Sequence, residues 1–254
     1  MRFFINYFIG DNKQNNSLTI ALNSRPHKIV DFMVKYYFSK QKPDFFQQYI
    51  NTAMYNWDNI FKPELTSTLD AEIQLFDSKL EFMGRYSSIK NYIYIDNNRE
   101  FNQYSNFNSI AFSAKAQLSL WIFNIEEKLL LQTNSNPEIV SIPQIASFTN
   151  FYFNFKFLKK RLNVHLGTQL TIHSDYYFKA YDPAIGVFYN QNELNFGRFP
   201  FVDAYLDLKY KRISVSISYK QLADVFGFRN SFTTLHYPQN TDGLHFTLAW
   251  HFYN

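Results

Sequence analysis

The chain has 254 residues, 20% of them aromatic (29 Phe and 19 Tyr), a net charge of +4 and no cysteine. The missing thiols exclude disulfides, thiolate metal sites and cysteine nucleophiles, and the scattered charges give no basic run of the kind that grips nucleic acid. No stretch approaches 18 consecutive apolar residues, which excludes a transmembrane helix.

From the N-terminus, Phe3, Ile5, Tyr7 and Ile9 recur at the two-residue period of a strand, while Asn6 breaks what would otherwise resemble a signal-peptide core. Val30, Phe32, Val34, Tyr36 and Phe38 then oppose Asp31, Lys35 and Ser39. Residues 40–62 are rich in rings but keep no period, and with 1–28 they are the least regular part of the chain. Leu69, Ala71, Ile73 and Leu75 oppose Asp70, Glu72 and Gln74; Leu80, Phe82 and Tyr86 oppose Glu81 and Arg85. Ile110, Phe112, Ala114, Ala116, Leu118 and Leu120 alternate with Ser109, Ser113, Lys115, Gln117 and Ser119.

The clearest strands follow. Phe151, Phe153, Phe155 and Phe157 alternate with Tyr152, Asn154 and Lys156, and Lys159-Lys160 makes a turn into Leu162, Val164, Leu166, Leu170 and Ile172. Ala204, Leu206, Leu208 and Tyr210 oppose Asp203, Asp207 and Lys209. The parity resets at Lys211-Arg212, after which Ile213, Val215, Ile217 and Tyr219 oppose Ser214, Ser216, Ser218 and Lys220. The last run places Phe246, Leu248, Trp250 and Phe252 on one face and His245, Thr247 and His251 on the other.

Successive strand side chains point to opposite faces, so each run has one apolar and one polar surface. A soluble sandwich or lipocalin-like barrel also alternates. Four Phe on one strand face, however, would aggregate in water and are stable against lipid. A genome biased to AT would enrich the same rings, so the alternation carries more weight than the composition. The sequence therefore predicts an all-β fold, a single antiparallel transmembrane β-barrel over 1–254 of the outer-membrane type, with about 12 strands (roughly 10 to 14). Phe151, Phe153, Phe155, Phe157, Ile213, Val215, Ile217, Phe246, Leu248, Trp250 and Phe252 are expected to face lipid. Asp70, Glu72, Glu81, Arg85, Lys115, Lys156, Asp203, Asp207, Lys209 and Lys220 are expected to line the lumen. The short basic turns suit a periplasmic end, and the longer polar segments 174–198 and 221–241 suit extracellular loops. Because such a barrel is exported, the chain reads as a fragment or as a gene model lacking its true 5′ end.

Other chemistry finds little purchase. His165 and His173 share a strand face about 26 Å apart, and His245 and His251 are about 20 Å apart, too far in each case to share a metal. His27 and His236 stand alone in sequence. His173-Ser174-Asp175 has the composition of a hydrolytic triad, but consecutive strand residues point apart. Asp96, Asn98 and Glu100 suggest a calcium loop until Phe101 and Phe107 fill its Gly and Glu positions. The expectation is a non-enzymatic protein needing no cofactor and no metal.

Several stretches resemble the "putative porin" family of Bacteroidota outer membranes. They are Asn91-Tyr92-Ile93-Tyr94, Leu131-Gln132-Thr133-Asn134-Ser135-Asn136 and the run from Tyr181-Asp182-Pro183 to Gln191. Phe199-Pro200-Phe201-Val202-Asp203, Leu208-Lys209-Tyr210-Lys211-Arg212, His236-Tyr237-Pro238 and Phe246–Phe252 continue the likeness, which spans roughly 90–254. The resemblance implies an outer-membrane barrel with presumed transport, and members that carry a signal sequence and a longer N-terminal part. The resulting expectation is a channel for passive diffusion of small hydrophilic solutes. Its alternatives are a closed structural or docking barrel of an envelope complex and, more weakly, an outer-membrane hydrolase. The expected partners are outer-membrane lipid, small solutes and the barrel-assembly machinery, which would read the C-terminal strand. The near balance of lumenal signs argues against strong ion selectivity.

Overall fold

The computed structural model describes residues 2–9, 15–27, 29–225, 227, 232–235, 237–238 and 243–252; His236 and the terminal Tyr253-Asn254 lie outside them. One antiparallel sheet dominates. Its strands are β1 (Arg2–Ile9), β2 (Asn16–His27) and β3 (Val30–Gln41), then, after the short hairpin β4 (Tyr49–Asn51) and β5 (Asn56–Asp58), β6 (Glu64–Leu75), β7 (Leu80–Ile95), β8 (Phe101–Leu120) and β9 (Phe123–Asn134). It continues through β10 (Ile145–Phe157) and β11 (Leu162–His173), passes the hairpin β12 (Ala180–Asp182) and β13 (Val187–Tyr189), and resumes with β14 (Phe201–Tyr210) and β15 (Ile213–Lys220). Beyond β16 (Phe232–Thr234) and β17 (Tyr237–Pro238) it ends in β18 (Gly243–Trp250). Each sheet strand pairs with its sequence neighbour in the sheet, giving twelve strands in simple up-and-down order.

The predicted closed barrel is not what these pairings make. Among the described residues no ladder joins β1 to β18, so the sheet is open. A barrel's strand number is defined by closure, and the twelve of the sheet do not set it. The last strand stops at Trp250, and beyond it the Phe252 ring stacks on Trp250 with centroids 5.0 Å apart.

Turn lengths divide the two ends of the sheet. At one end β8–β9 and β14–β15 close with two residues, and β6–β7 and β10–β11 with four. These tight turns are made without glycine: Asp77, Trp121, Lys159, Lys160 and Lys211 all take positive φ, between 52° and 68°. Left-handed backbone costs an L-residue roughly 1–2 kcal/mol, which hairpin pairing on both sides must offset. At the other end, longer segments pack on one another and contain much of the buried apolar set, including Phe178, Ala180, Phe196 and Leu235.

The sheet itself is inside out by the standard of a soluble protein. Ile110, Leu118 and Leu166 on the apolar face are 56%, 63% and 49% exposed, whereas Asp70 and Asn150 on the polar face are 7% and 9% exposed. A flat sheet would open both faces equally. Curvature about the polar face produces this difference, and the apolar face is then convex.

Candidate functional site

Register assembles the polar face. Asp31, Gln74, Glu81, Lys115 and Lys128 lie directly opposite one another across five strands. Lys35, Asp70 and Arg85 form a second cross-strand row; Glu126, Asn150, Gln169 and Asp203 form a third. All ten residues expected on the polar face lie there by strand parity. Phe151, Phe153, Phe155, Phe157, Ile213, Val215, Ile217, Phe246, Leu248 and Trp250 share the opposite one.

Six of the ten meet in pairs. Arg85 donates to Asp70 through Nε at 2.7 Å and Nη2 at 3.1 Å. Lys115 reaches Glu81 at 3.2 Å, and Lys220 reaches Asp203 at 2.7 Å. Opposed charges on facing strand positions attract at short range, and a two-pronged guanidinium contact also fixes the orientation of the carboxylate. Asp207 accepts the Ser216 hydroxyl at 2.6 Å, and Glu72 accepts the Gln74 amide. Lys156 and Lys209 take part in no ion pair among the described residues.

The face also holds residues that sequence reading passed over. A concavity of about 380 Å³ is lined by Glu126, Asn150, Tyr152, His165, Tyr205 and Asp207, among others. Tyr205 lies across Gly167 and donates its hydroxyl to Asn150 at 2.9 Å. Tyr152 packs on the His165 ring at 5.3 Å. The signal for Glu126 and Lys128 was present, since they alternate with Phe123, Ile125 and Leu129. Tyr205 was obscured because a ring reads as apolar until its hydroxyl finds a partner.

One carboxylate breaks the two-faced pattern. Glu127 projects from the apolar face of β9 between Ile125 and Leu129, opposite Ala116 and Thr149. Its oxygens accept the Ser147 hydroxyl at 2.7 Å and the Thr149 hydroxyl at 2.5 Å.

At the long-loop end, Asp182 draws three distant segments together. Tyr55 donates to it at 2.5 Å and the Ala184 amide at 2.9 Å, and Arg99 approaches at 3.4 Å while lying over the Tyr189 ring. Burial resists ionisation of this carboxyl; the Tyr55 hydroxyl, the Ala184 amide and the Arg99 charge outweigh it and hold Asp182 below the usual carboxylate range. Beside this knot, a loop cavity of about 700 Å³ is lined largely by Asn, Gln and Tyr side chains.

The triad composition at His173 does not become a triad. His173 Nδ1 contacts the Ser174 carbonyl, the Ser174 hydroxyl accepts the Ile145 amide, and Asp175 pairs with Arg198 at 2.7 Å. Among the described residues, no three His, Cys, Asp or Glu side chains gather in a metal-holding group.

A family model described as "Putative porin" matches residues 2–254. The chain belongs to this putative porin family. The match reaches well N-terminal of the stretch where the resemblance was legible. No curated protein matches the chain. Solved structures similar to this family member include BauA, the ferric preacinetobactin receptor from Acinetobacter baumannii (13% identity, TM-score 0.56, covering 82% of this chain and 32% of that one). They also include the FrpB iron transporter from Neisseria meningitidis (12%, 0.55, 85% and 34%) and the siderophore receptor PirA from Acinetobacter baumannii (10%, 0.59, 92% and 41%). At such identities the likeness concerns fold, that of outer-membrane β-barrels. The putative porin chain spans about a third to two fifths of the length of these structures. Family and fold together make it a protein of the bacterial outer membrane.

Proposed function

We propose that the polar face lines a water-filled passage through which small hydrophilic solutes diffuse passively, with the apolar face set against lipid. The observation that carries this reading is the inverted burial: Asp70 and Asn150 on the polar face are 7% and 9% exposed while Leu118 on the apolar face stands 63% exposed. Hydrocarbon satisfies the outer side chains, and water in the lumen solvates the inner ones. Asp70, Glu72, Glu81, Arg85, Lys115, Lys156, Asp203, Asp207, Lys209 and Lys220 are the lining. The separate engagements of His173, Ser174 and Asp175 favour transport over a hydrolytic role for these three residues. Lipid is the constant partner, and the aromatic β18 is the segment the assembly machinery would read.

A second reading, a closed barrel that serves as a structural or docking component, draws on the loop knot around Asp182, which brings extracellular segments together over one end of the sheet. Conductance separates the two. The refolded full chain in planar bilayers is expected to show stepwise current increments. A correctly folded preparation that gives none would sink the channel and leave the closed barrel.

A further inference from the structure

Charge on this protein is segregated along the axis of the sheet in a way that composition conceals. The β10–β11 hairpin carries Lys156, Lys159, Lys160 and Arg161, and the β14–β15 hairpin carries Lys209, Lys211 and Arg212. These seven cations exceed the net charge of the whole chain, +4, so the remainder is net acidic. Because Leu162 pairs with Tyr210, the two turns end at one level, side by side. Lys156, Asn163 and Lys209 form one cross-strand row on the polar face, which sets the two lysines two strand spacings, about 10 Å, apart.

Six of these seven cations, Lys156, Lys159, Lys160, Arg161, Lys209 and Lys211, stand without an ionic partner among the described residues. All seven are exposed. The nearest inward carboxylate, Asp207, sits one row further in and accepts Ser216. Of the other described tips at this end, Trp121-Ile122 is neutral, and the 76–79 turn adds Lys79 beside Asp77, which is paired with Arg25. Deeper in the sheet, Asp70, Glu81 and Asp203 cancel Arg85, Lys115 and Lys220.

We infer that the short-turn, periplasmic mouth collects anions and gives the passage a preference for small carboxylates and phosphates over cations. The inference rests on the channel reading above and names its solute class. It replaces the expectation of weak selectivity, because paired charges inside exert little net field while unpaired charges at a mouth dominate what enters. At physiological salt the screening length is about 8 Å, close to the spacing of Lys156 and Lys209, so the preference fades as salt rises.

Reversal potentials in planar bilayers under a KCl gradient at low ionic strength test this. The chloride-to-potassium permeability ratio is expected above one in the parent. It should fall below one in K156E/K209E, and partway in K159S/K160S, whose exposed turn sites leave the ladders intact. Titration of the detergent-folded protein with pyrophosphate, weakened by about tenfold or more on removing two lysines, keeps the two ideas apart. A protein that binds pyrophosphate through these lysines yet passes no current loses the channel and keeps the anion-collecting surface. A channel that passes current with no chloride preference, or with a ratio unmoved by K156E/K209E, overturns the inference and leaves the channel.

Discussion

Tyr205 occupies the space that a side chain at Gly167 would fill. A Cβ built at Gly167 would stand 2.7 Å from the Tyr205 ring and hydroxyl and 2.7 Å from the Tyr152 Cβ. The glycine therefore lets a ring lie flat on the wall with its hydroxyl in reach of Asn150. Gly167→Val is expected to lift the ring, break that bond and cost about 1–3 kcal/mol by overpacking. Tyr205→Phe keeps the ring and should lose only the hydrogen bond, about 1 kcal/mol. Denaturant titration of the folded protein in detergent, with both variants, checks the order. Equal losses would show that the ring position is not what matters. None of this was legible in sequence, because the partners of a side chain on a sheet come from strands far away along the chain.

Strands were the legible scale, and the reason is physical: a wall between two solvents writes a two-residue period into each element that crosses it. β3, β10, β11, β14 and β15 follow that period closely, and their register matches the faces it implies. β9 held a further message. Glu126, Glu127 and Lys128 are consecutive, so a strand must send at least one charge to each face. Glu127 is the one on the apolar side. A carboxylate there needs its donors, and Ser147 and Thr149 on β10 supply them. Ser147→Ala with Thr149→Ala is expected to destabilise the folded protein by about 1–3 kcal/mol through an unsatisfied polar group. Glu127→Leu, which removes the group itself, should be near neutral or stabilising. Urea unfolding in lipid vesicles gives both numbers. A Glu127→Leu loss as large as that of the double variant would contradict a lipid-facing carboxylate.

The whole molecule has two kinds of interior. Residues 40–62 showed no period because their rings answer to no wall: Phe46 and Trp57 pack with Phe101 in a three-ring cluster, and Tyr55 reaches Asp182, 127 residues along the chain. That loop assembly is held partly by a carboxyl kept below its ordinary range. The stabilisation from Asp182 is then fully present above the ordinary value, about pH 3.9, and is lost as pH falls through the lower folded value. Hydrogen exchange in the 180–189 segment is expected to stay protected at pH 5 and to rise below about pH 4, while β10 and β11 keep their protection. Asp182→Asn should raise exchange there at every pH and abolish the acid step; an unchanged step would assign it to another group. The loop assembly hides Phe101, Phe178 and Phe196 from water, whereas the sheet hands its rings to hydrocarbon. Changing the aqueous medium and changing the length of the surrounding acyl chains are therefore independent controls on this protein. One is expected to loosen the entrance and the other the wall, so its resistance to unfolding is a pair of values rather than one.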